Sequence, residues 1–250
     1  MKILEVKVDN LERKEILDKI SCFLSEDKFY QIATINPEFI LKAQKDNEFK
    51  NILNNCDLNI ADSIGIRFTF WRFGEKLKCR MMGIDLMMEI LKISNEKKLR
   101  IYLAANSGGL SGWEETKKAI LKIYPDLEIY GTNINCHSWL DQESTQSINV
   151  SVDSRFRGND IVADIVFCNF GVPFQEKFLN SLKCANIKLA VGVGGSFDYM
   201  TGKLKRAPKW MQFFGVEWLW RLILQPKRIG RIFNAVVIFP IKIIFYKKII

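Results

Sequence analysis

The sequence predicts an α/β fold: a Rossmann-like, mostly parallel sheet flanked by helices and followed by a basic helical appendage. Three observations predict it. Short apolar strands alternate with segments of helical period along residues 31–131. Glycine-containing turns follow several of these strands and open helices, as in βαβ units. From Lys203 onward, Lys, Arg and Trp stand among aliphatic residues, so we expect an α/β domain over 1–202 and an amphipathic appendage over 203–250.

The N-terminal part is predicted to alternate strands with short helices. Residues 1–9 alternate weakly and predict an edge hairpin or strand, after which Asp9 or Asn10 is expected to cap a helix reaching Leu24. Pro37 suits the first turn of a helix, where its missing N–H costs nothing. The further predicted elements are a strand over 31–35, helices over 37–43 and 46–54, a strand over 58–60 and a helix over 64–71.

Two irregular segments interrupt the rest of the α/β domain. Residues 72–83 lack a clear period and predict a long loop, of the kind that binds ligands or moves. Residues 141–160 are polar and predict a surface insertion. The elements predicted around these segments are a helix over 84–93, a strand over 99–104, a turn over 106–109, a helix over 113–124, and strands over 127–131, 164–169 and 187–193.

The charge is concentrated in the appendage. Residues 203–250 hold eleven Lys and Arg against the single acid Glu217, which leaves −1 for the preceding 202 residues within the total of +9. This asymmetry predicts an anionic partner: nucleic acid, an anionic membrane or a phosphorylated substrate. The aromatic residues of the appendage lie among aliphatic ones rather than between cations, which disfavours nucleic acid.

The apolar run of the appendage is too short for a transmembrane helix. Its longest uncharged stretch, residues 232–241, contains Pro240 and falls well below the ~20 residues that span a bilayer. A helix lying in the membrane interface, beside Trp218 and Trp220, fits the pattern better. The alternative is a helix packed on the body or on another subunit.

Composition disfavours metal and redox chemistry. The six cysteines form no C-x-x-C pair, and the N-terminus has no apolar signal region, so we expect reduced thiols in a cytosolic protein. His137 is the only histidine, and a single histidine cannot form a histidine-based metal cluster. We therefore expect neither a metal nor another cofactor.

Polar residues and glycines at the predicted strand ends are the candidates for ligand binding, because ligands sit at the carboxyl ends of parallel strands. Thr34, Asn36 and Asp62 hold such positions, although Asp62 is also well placed to cap a helix. The turn at Gly108 either meets a phosphate or merely reverses the chain. Neither a dinucleotide fingerprint nor a Walker A motif is present, which argues against a standard dehydrogenase, a nicotinamide-dependent epimerase or a P-loop kinase.

Seven blocks of the sequence recur in this order in one family, and on them the chain resembles the WecG/TagA/CpsF glycosyltransferases along nearly its whole length. One block alone would carry little information, whereas seven in order are specific. The blocks are Thr-Ile-Asn-Pro (34–37), Ala-Asp-Ser-Ile-Gly (61–65), Arg-Met-Met-Gly-Ile-Asp-Leu (80–86), Gly-Val-Pro-Phe-Gln-Glu (171–176), Val-Gly-Val-Gly-Gly-Ser-Phe-Asp (191–198), Gly-Lys-Leu-Lys-Arg-Ala-Pro (202–208) and Glu-Trp-Leu-Trp-Arg-Leu (217–222).

The resemblance implies an inverting transfer of an N-acetylmannosamine-type sugar from a UDP donor, without a metal. The implied acceptor is an undecaprenyl-diphosphate-linked GlcNAc on the cytoplasmic membrane face, in teichoic acid or other surface polysaccharide synthesis. The enzyme would then be cytoplasmic, peripheral on the inner face of the membrane, and able to form homo-oligomers. The alternatives are a different UDP-hexose donor, or a non-catalytic basic module that binds membranes or nucleic acid.

The resemblance also assigns roles to the strand-end residues. Asp62 occupies the family's base position and would take the proton of the attacking sugar hydroxyl. Thr34 and Asn36 would orient the donor or acceptor sugar. Arg80 is a candidate for offsetting the charge of the leaving diphosphate.

The appendage is implied to cover the site. Its arginines at 221, 228 and 231 share a face if the helix is continuous, although Pro226 predicts a break. They would clamp a diphosphate, or, alternatively, form a solvated face for anionic headgroups. The remaining candidates are Gln175, expected to touch substrate; Gly194, Gly195 and Asp198, expected near uridine or ribose; and Arg206, a phosphate contact or a partner of Asp198.

Overall fold

The structure is a computed structural model that describes residues 1–136, 163–184 and 186–246. Six parallel strands form its main sheet in the order β4-β3-β8-β7-β5-β6, and an antiparallel β1–β2 hairpin lies apart from that sheet. The strands are β1 Lys2–Ile3, β2 Val6–Lys7, β3 Tyr30–Ile35, β4 Leu58–Ala61, β5 Ile101–Asn106, β6 Ile129–Ile134, β7 Ile165–Cys168 and β8 Leu189–Gly192. The predicted α/β class with a parallel sheet is confirmed.

Helices cover both faces of the sheet and continue into the appendage. They are α1 Arg13–Phe23, α2 Pro37–Ala43, α3 Asn47–Asn55, α4 Ile64–Arg72, α5 Gly83–Lys97, α6 Trp113–Leu121, α7 Phe174–Ser181, α8 Ser196–Met200, α9 Lys209–Phe214, α10 Glu217–Leu224, α11 Ile229–Phe233 and α12 Phe239–Phe245. Short 3-10 turns span Leu182–Cys184 and Pro226–Arg228, and a π-helical turn spans Asn234–Ile238.

The strands are apolar on both faces because each face is covered. On β3, Ile32 points to a core shared with α1 and α5, and Ala33 points to a core shared with α2 and α3. This alternation follows from the two-residue period of a strand. A third core lies beneath α7, where Phe178 packs with Val166 of β7. Parallel strands buried on both faces are the expected consequence of helical crossovers.

The predicted cap of the first helix is wrong. Helix α1 begins at Arg13, and Glu12 is its N-cap. The Asp9 carboxylate instead accepts a hydrogen bond from the Asn59 backbone N–H at 2.8 Å, and Asn10 accepts one from the Lys78 N–H at 2.8 Å. Both side chains are therefore occupied by long-range contacts that the local pattern cannot reveal.

Most elements lie where they were predicted, with shifted ends. The strand expected over 99–104 is Ile101–Asn106, and the one expected over 127–131 is Ile129–Ile134. The helix expected to end at 93 continues to Lys97 and stops because Lys98 adopts a left-handed conformation (φ 54°). The expectations for His137 and for residues 141–160 lie outside the described residues.

The appendage packs on the body through its last helix. Phe239 and Ile243 are fully buried in the core that also contains Ile66 and Phe70 of α4. This is the body-packed alternative, whereas the opposite side of the same helix exposes Ile244 and Phe245. Throughout the described part of the chain, no helix combines the length and hydropathy that crossing a bilayer requires.

Candidate active site

A cavity of about 470 Å³ opens at the carboxyl ends of the parallel strands. The segments that follow β3, β4, β5, β7 and β8 form one side of it, and residues 206–235 form the other. All thirteen residues proposed as site residues line this cavity, namely Thr34, Asn36, Asp62, Arg80, Gly108, Gln175, Gly194, Gly195, Asp198, Arg206, Arg221, Arg228 and Arg231. The topology therefore brings residues from distant parts of the chain to one place.

Asp62 follows β4 directly and faces the cavity. The capping interpretation is wrong, because Ser63, not Asp62, occupies the N-cap position of α4. Burial raises the pKa of Asp62 to about 7, although the nearby cations Arg221 and Arg80 oppose the shift and Glu217 adds to it. A carboxyl group with such a pKa can accept and release a proton near neutral pH.

Thr34 and Asn36 use their side chains within the protein. The Thr34 hydroxyl donates a hydrogen bond to the Gly192 carbonyl oxygen at 3.1 Å, which ties the end of β3 to the end of β8. The Asn36 side-chain oxygen accepts from the backbone N–H groups of Glu38 (2.9 Å) and Phe39 (3.3 Å), so Asn36 caps α2. Both residues thus fix the cavity wall through these contacts.

Three cavity arginines are paired with carboxylates. Arg80 lies 3.5 Å from Glu217 and donates to the Gln212 carbonyl oxygen at 3.5 Å. The Arg206 guanidinium forms a bidentate pair with both carboxylate oxygens of Asp85, at 2.8 and 2.7 Å. Of the two alternatives given for Arg206, the pairing with Asp198 is therefore wrong, and the contact with a phosphate stays a prediction. In the same way, Arg231 of the appendage is paired with Glu38 of the body at 2.7 Å.

The other two cavity arginines have no carboxylate within ion-pair distance among the described residues. Arg221 lies over the Tyr199 ring at 5.5 Å from its centroid. Burial and the nearby cations Arg221 and Arg231 together lower the pKa of Arg228 to about 10, although Asp198 and Glu38 oppose the shift. Two half-buried cations that lack a direct carboxylate partner among the described residues form a site that favours an anion.

The three appendage arginines converge although their helix is broken. Helix α10 ends at Leu224, and the turn at Pro226 separates it from α11, as predicted. Gly195 makes room for this approach, because a Cβ at that position would lie 2.6 Å from Nη2 of Arg221. A side chain at position 195 would therefore push the Arg221 guanidinium out of its present position.

The glycine turns are tied by hydrogen bonds within the protein. Oε1 of Gln175 accepts the backbone N–H groups of Gly171 (3.1 Å) and Gly194 (3.2 Å). The Gly108 N–H donates to the Asn106 side chain at 3.0 Å. Asp198 is largely buried, and its Oδ1 has no hydrogen-bond partner within the described chain.

Several cavity residues escaped the sequence interpretation. Asn169 follows β7 and accepts the Asn106 N–H at 2.6 Å; its position at a strand end is the same signal that identified Asn36. Tyr199 and Glu217 gave no such signal, because their contacts depend on the docked appendage. Among the residues that the structure describes, no group of three or more His, Cys, Asp or Glu could hold a metal ion.

Comparisons with known proteins find relatives that match most of this chain. The chain is 31% identical over 229 residues to an N-acetylglucosaminyldiphosphoundecaprenol N-acetyl-beta-D-mannosaminyltransferase of Bacillus subtilis, covering 91% of this chain and 81% of that protein. Proteins of the same name from Bacillus spizizenii and Staphylococcus aureus are 29% and 28% identical, over 85% and 98% of this chain and 78% and 92% of theirs.

The sequence profile of the glycosyl transferase WecG/TagA/CpsF family matches residues 1–249. The match includes both sides of the cavity, the strand ends and the basic appendage. The chain therefore belongs to the WecG/TagA/CpsF family of glycosyltransferases.

Proposed function

We propose that this glycosyltransferase moves an N-acetylmannosamine unit, with inversion, from a UDP donor to a GlcNAc on a polyprenyl diphosphate. One observation carries the proposal: a carboxyl group with a pKa of about 7, Asp62, shares a cavity with Arg221 and Arg228, two cations without an ion-pair partner among the described residues. The first group suits proton transfer and the others suit a diphosphate. The names of the relatives support the sugar and the acceptor.

The chemistry is a single displacement. Asp62, as the carboxylate, takes the proton of the acceptor hydroxyl while that oxygen forms a bond to C1 of the donor sugar. The bond between C1 and the UDP oxygen breaks, and its electron pair leaves with the diphosphate. Arg221 and Arg228 are placed to stabilise the negative charge that develops there. Attack opposite to the leaving group inverts the anomeric centre.

The appendage is proposed to cover the site and to attach the enzyme to the inner membrane surface. Its outer side exposes Trp210, Phe213 and Phe214 of α9, the last two at 80% and 68%. Exposed aromatic residues beside a strongly basic segment suit an anionic lipid surface. Because Arg221 and Arg228 line the cavity instead, we assign them to the diphosphate rather than to headgroups.

The test is transfer from UDP-N-acetylmannosamine to a GlcNAc-diphosphate-lipid analogue, with EDTA present. Wild type, Asp62→Asn and the exposed control Asp18→Asn are compared, and UDP-glucose is offered as the second donor. We expect wild type and Asp18→Asn to transfer N-acetylmannosamine and Asp62→Asn to lose transfer. Faster turnover of UDP-glucose would show that the donor is UDP-glucose instead. Full activity of Asp62→Asn would show that Asp62 is not the base.

A further inference from the structure

Glu176 is a buried carboxyl group that the displacement does not use. It lies in the first turn of α7 and is 0% exposed. Its Oε1 accepts a hydrogen bond from Nε2 of Gln175 at 2.6 Å, and its Oε2 is buried without a hydrogen-bond partner in the described chain. Burial raises the pKa of Glu176 to about 8, so the group is mostly protonated at neutral pH. Gln175 is the hydrogen-bond partner of this side chain, so any influence of Glu176 on the cavity is expected to pass through Gln175.

Gln175 stands between Glu176 and two turns of the cavity wall. Its Oε1 accepts the N–H groups of Gly171 and Gly194, which have φ values of 80° and 51°. Both glycines adopt the left-handed conformation, so the two turns after β7 and β8 have shapes that few other residues permit. One amide oxygen therefore joins the two turns.

The orientation of the Gln175 amide is fixed from both ends. Its NH2 group faces the acceptor oxygen of Glu176, and its oxygen faces two N–H donors. Rotating the amide by 180° would place NH2 against the two glycine N–H groups, where donors face donors. Without an acceptor at position 176, the buried NH2 group would lose its partner and the present orientation would be weakened.

The end of β8 is shaped around this pair. A Cβ at Gly192 would lie 2.5 Å from Nε2 of Gln175 and 2.6 Å from Oε1 of Glu176, so any larger residue would displace both side chains. The Gly192 carbonyl oxygen also accepts the Thr34 hydroxyl. The pair thus contacts the same strand end that holds the β3 side of the cavity.

We propose that Glu176 is a positioning residue: through the Gln175 amide it holds the turns at Gly171 and Gly194 in the arrangement that shapes the cavity wall. Gln175 is then a tether between two turns, and the N–H group of Gly194 is used within the protein. The consequence for donor binding rests on the proposed function, whereas the hydrogen-bond arrangement does not.

Hydrogen exchange measured by NMR tests the tether directly. Wild type is compared with Glu176→Gln, which keeps an acceptor oxygen, and Glu176→Leu, which removes it. The control is the N–H of Val193, which donates to Cys168 and not to Gln175. We expect Glu176→Leu to speed exchange at Gly171 and Gly194 about tenfold, with Val193 unchanged and Glu176→Gln close to wild type. Equal acceleration at all three amides, or none, would overturn the proposal.

A second variant keeps the test independent of how Glu176→Leu folds. Gln175→Leu removes the acceptor itself and is expected to speed exchange at the same two glycines. Transfer assays then compare Gln175→Leu with the double variant that carries both Gln175→Leu and Glu176→Leu. The double variant should raise the KM for UDP-N-acetylmannosamine no more than Gln175→Leu alone does, since Glu176 acts through Gln175. If the two substitutions raised the KM independently and additively, Glu176 would not act through Gln175. Absence of transfer by wild type would refute the proposed function, while the exchange result would still decide on the tether.

Discussion

The two walls of the cavity are built by different means. The sheet wall consists of side chains held by backbone hydrogen bonds, such as Thr34 on the Gly192 carbonyl oxygen and Asn36 at the start of α2. The appendage wall is carried by α10, the Pro226–Arg228 turn and α11, in which no residue is fully buried. The sheet therefore fixes the positions of the polar side chains that line the cavity, while the appendage contributes positively charged arginines.

The walls also differ in how they are attached. The sheet wall is continuous with the core. Among the described residues the appendage is held by four ion pairs, which include Arg80 with Glu217 and Arg231 with Glu38, and by the buried anchor Phe239. Exposed ion pairs contribute little, about 0–1 kcal/mol each. The Arg231–Glu38 pair is of this kind, whereas Arg80 and Glu217 are mostly buried. We therefore expect the apolar anchor to contribute more to the attachment than the exposed pair does. This comparison predicts how strongly each change affects activity or stability.

The largest effect is expected at Asp62 on the sheet wall. Asp62→Asn removes the proposed base and should lower kcat by about 10²–10⁴-fold, because that is the usual contribution of a positioned base. In wild type, kcat/KM should fall as the pH decreases through about 7, since protonation consumes the base. Steady-state rates over pH check both. A kcat/KM that does not change with pH around 7 would show that Asp62 is not the base.

Melting temperature is the control for that variant. The raised pKa means that folded Asp62 binds its proton more tightly than the unfolded chain does, so wild type loses stability as pH rises from 3.8 to about 7. Neutral Asn avoids this loss. Asp62→Asn should therefore melt no lower than wild type at neutral pH. A clearly lower melting temperature would attribute the lost activity to unfolding.

The next effect concerns the anchor of the appendage. Phe239→Ala should destabilise the packing of α12 by about 3–5 kcal/mol, since truncating a buried Phe leaves a cavity. Phe245→Ala, on the same helix and 81% exposed, is the matched control and should stay within about 0.5 kcal/mol of wild type. Denaturant unfolding measures both. Equal losses in the two variants would refute anchoring by the buried face.

A smaller effect is expected from the charge that the appendage carries. Arg228→Ala should reduce kcat/KM about 10²-fold, because it removes one of the two cavity-lining cations that we propose stabilise the diphosphate. Lys227→Ala, the exposed neighbour, should change kcat/KM less than about twofold at moderate salt. The measurement is transfer rate against donor concentration. Comparable losses in the two variants would indicate a diffuse electrostatic effect instead of a site.

The smallest effect is expected at the ion pair between the walls. Glu38→Gln should cost less than about 1 kcal/mol, because its partner Arg231 is half-exposed. The loss should disappear in high salt, where exposed charges are screened. Thermal unfolding at two salt concentrations measures this. A large, salt-independent loss would show that the pair holds the two walls together.

The sequence predicted the parts of this molecule that depend on local pattern. Alternating periods located β3, β4 and the α/β class, and polar residues at strand ends identified Asp62. Local pattern could not predict contacts between residues that are distant in the sequence. Arg206 pairs with Asp85, 121 residues earlier, and the Asp9 carboxylate accepts the Asn59 N–H instead of capping a helix. Such partners are chosen by the packed sheet, which no single segment encodes.

The order of strands has a consequence for how the protein is made. β8 lies between β3 and β7, so the centre of the sheet closes only when residues 189–191 pair with residues 30–32. While the chain emerges from the ribosome, β3 therefore lacks this neighbouring strand and its apolar residues stay exposed until β8 has been synthesised. Pairings of such long sequence separation fold slowly and leave apolar strands exposed meanwhile. Nascent chains of this protein should accordingly depend on chaperones until the last strand arrives.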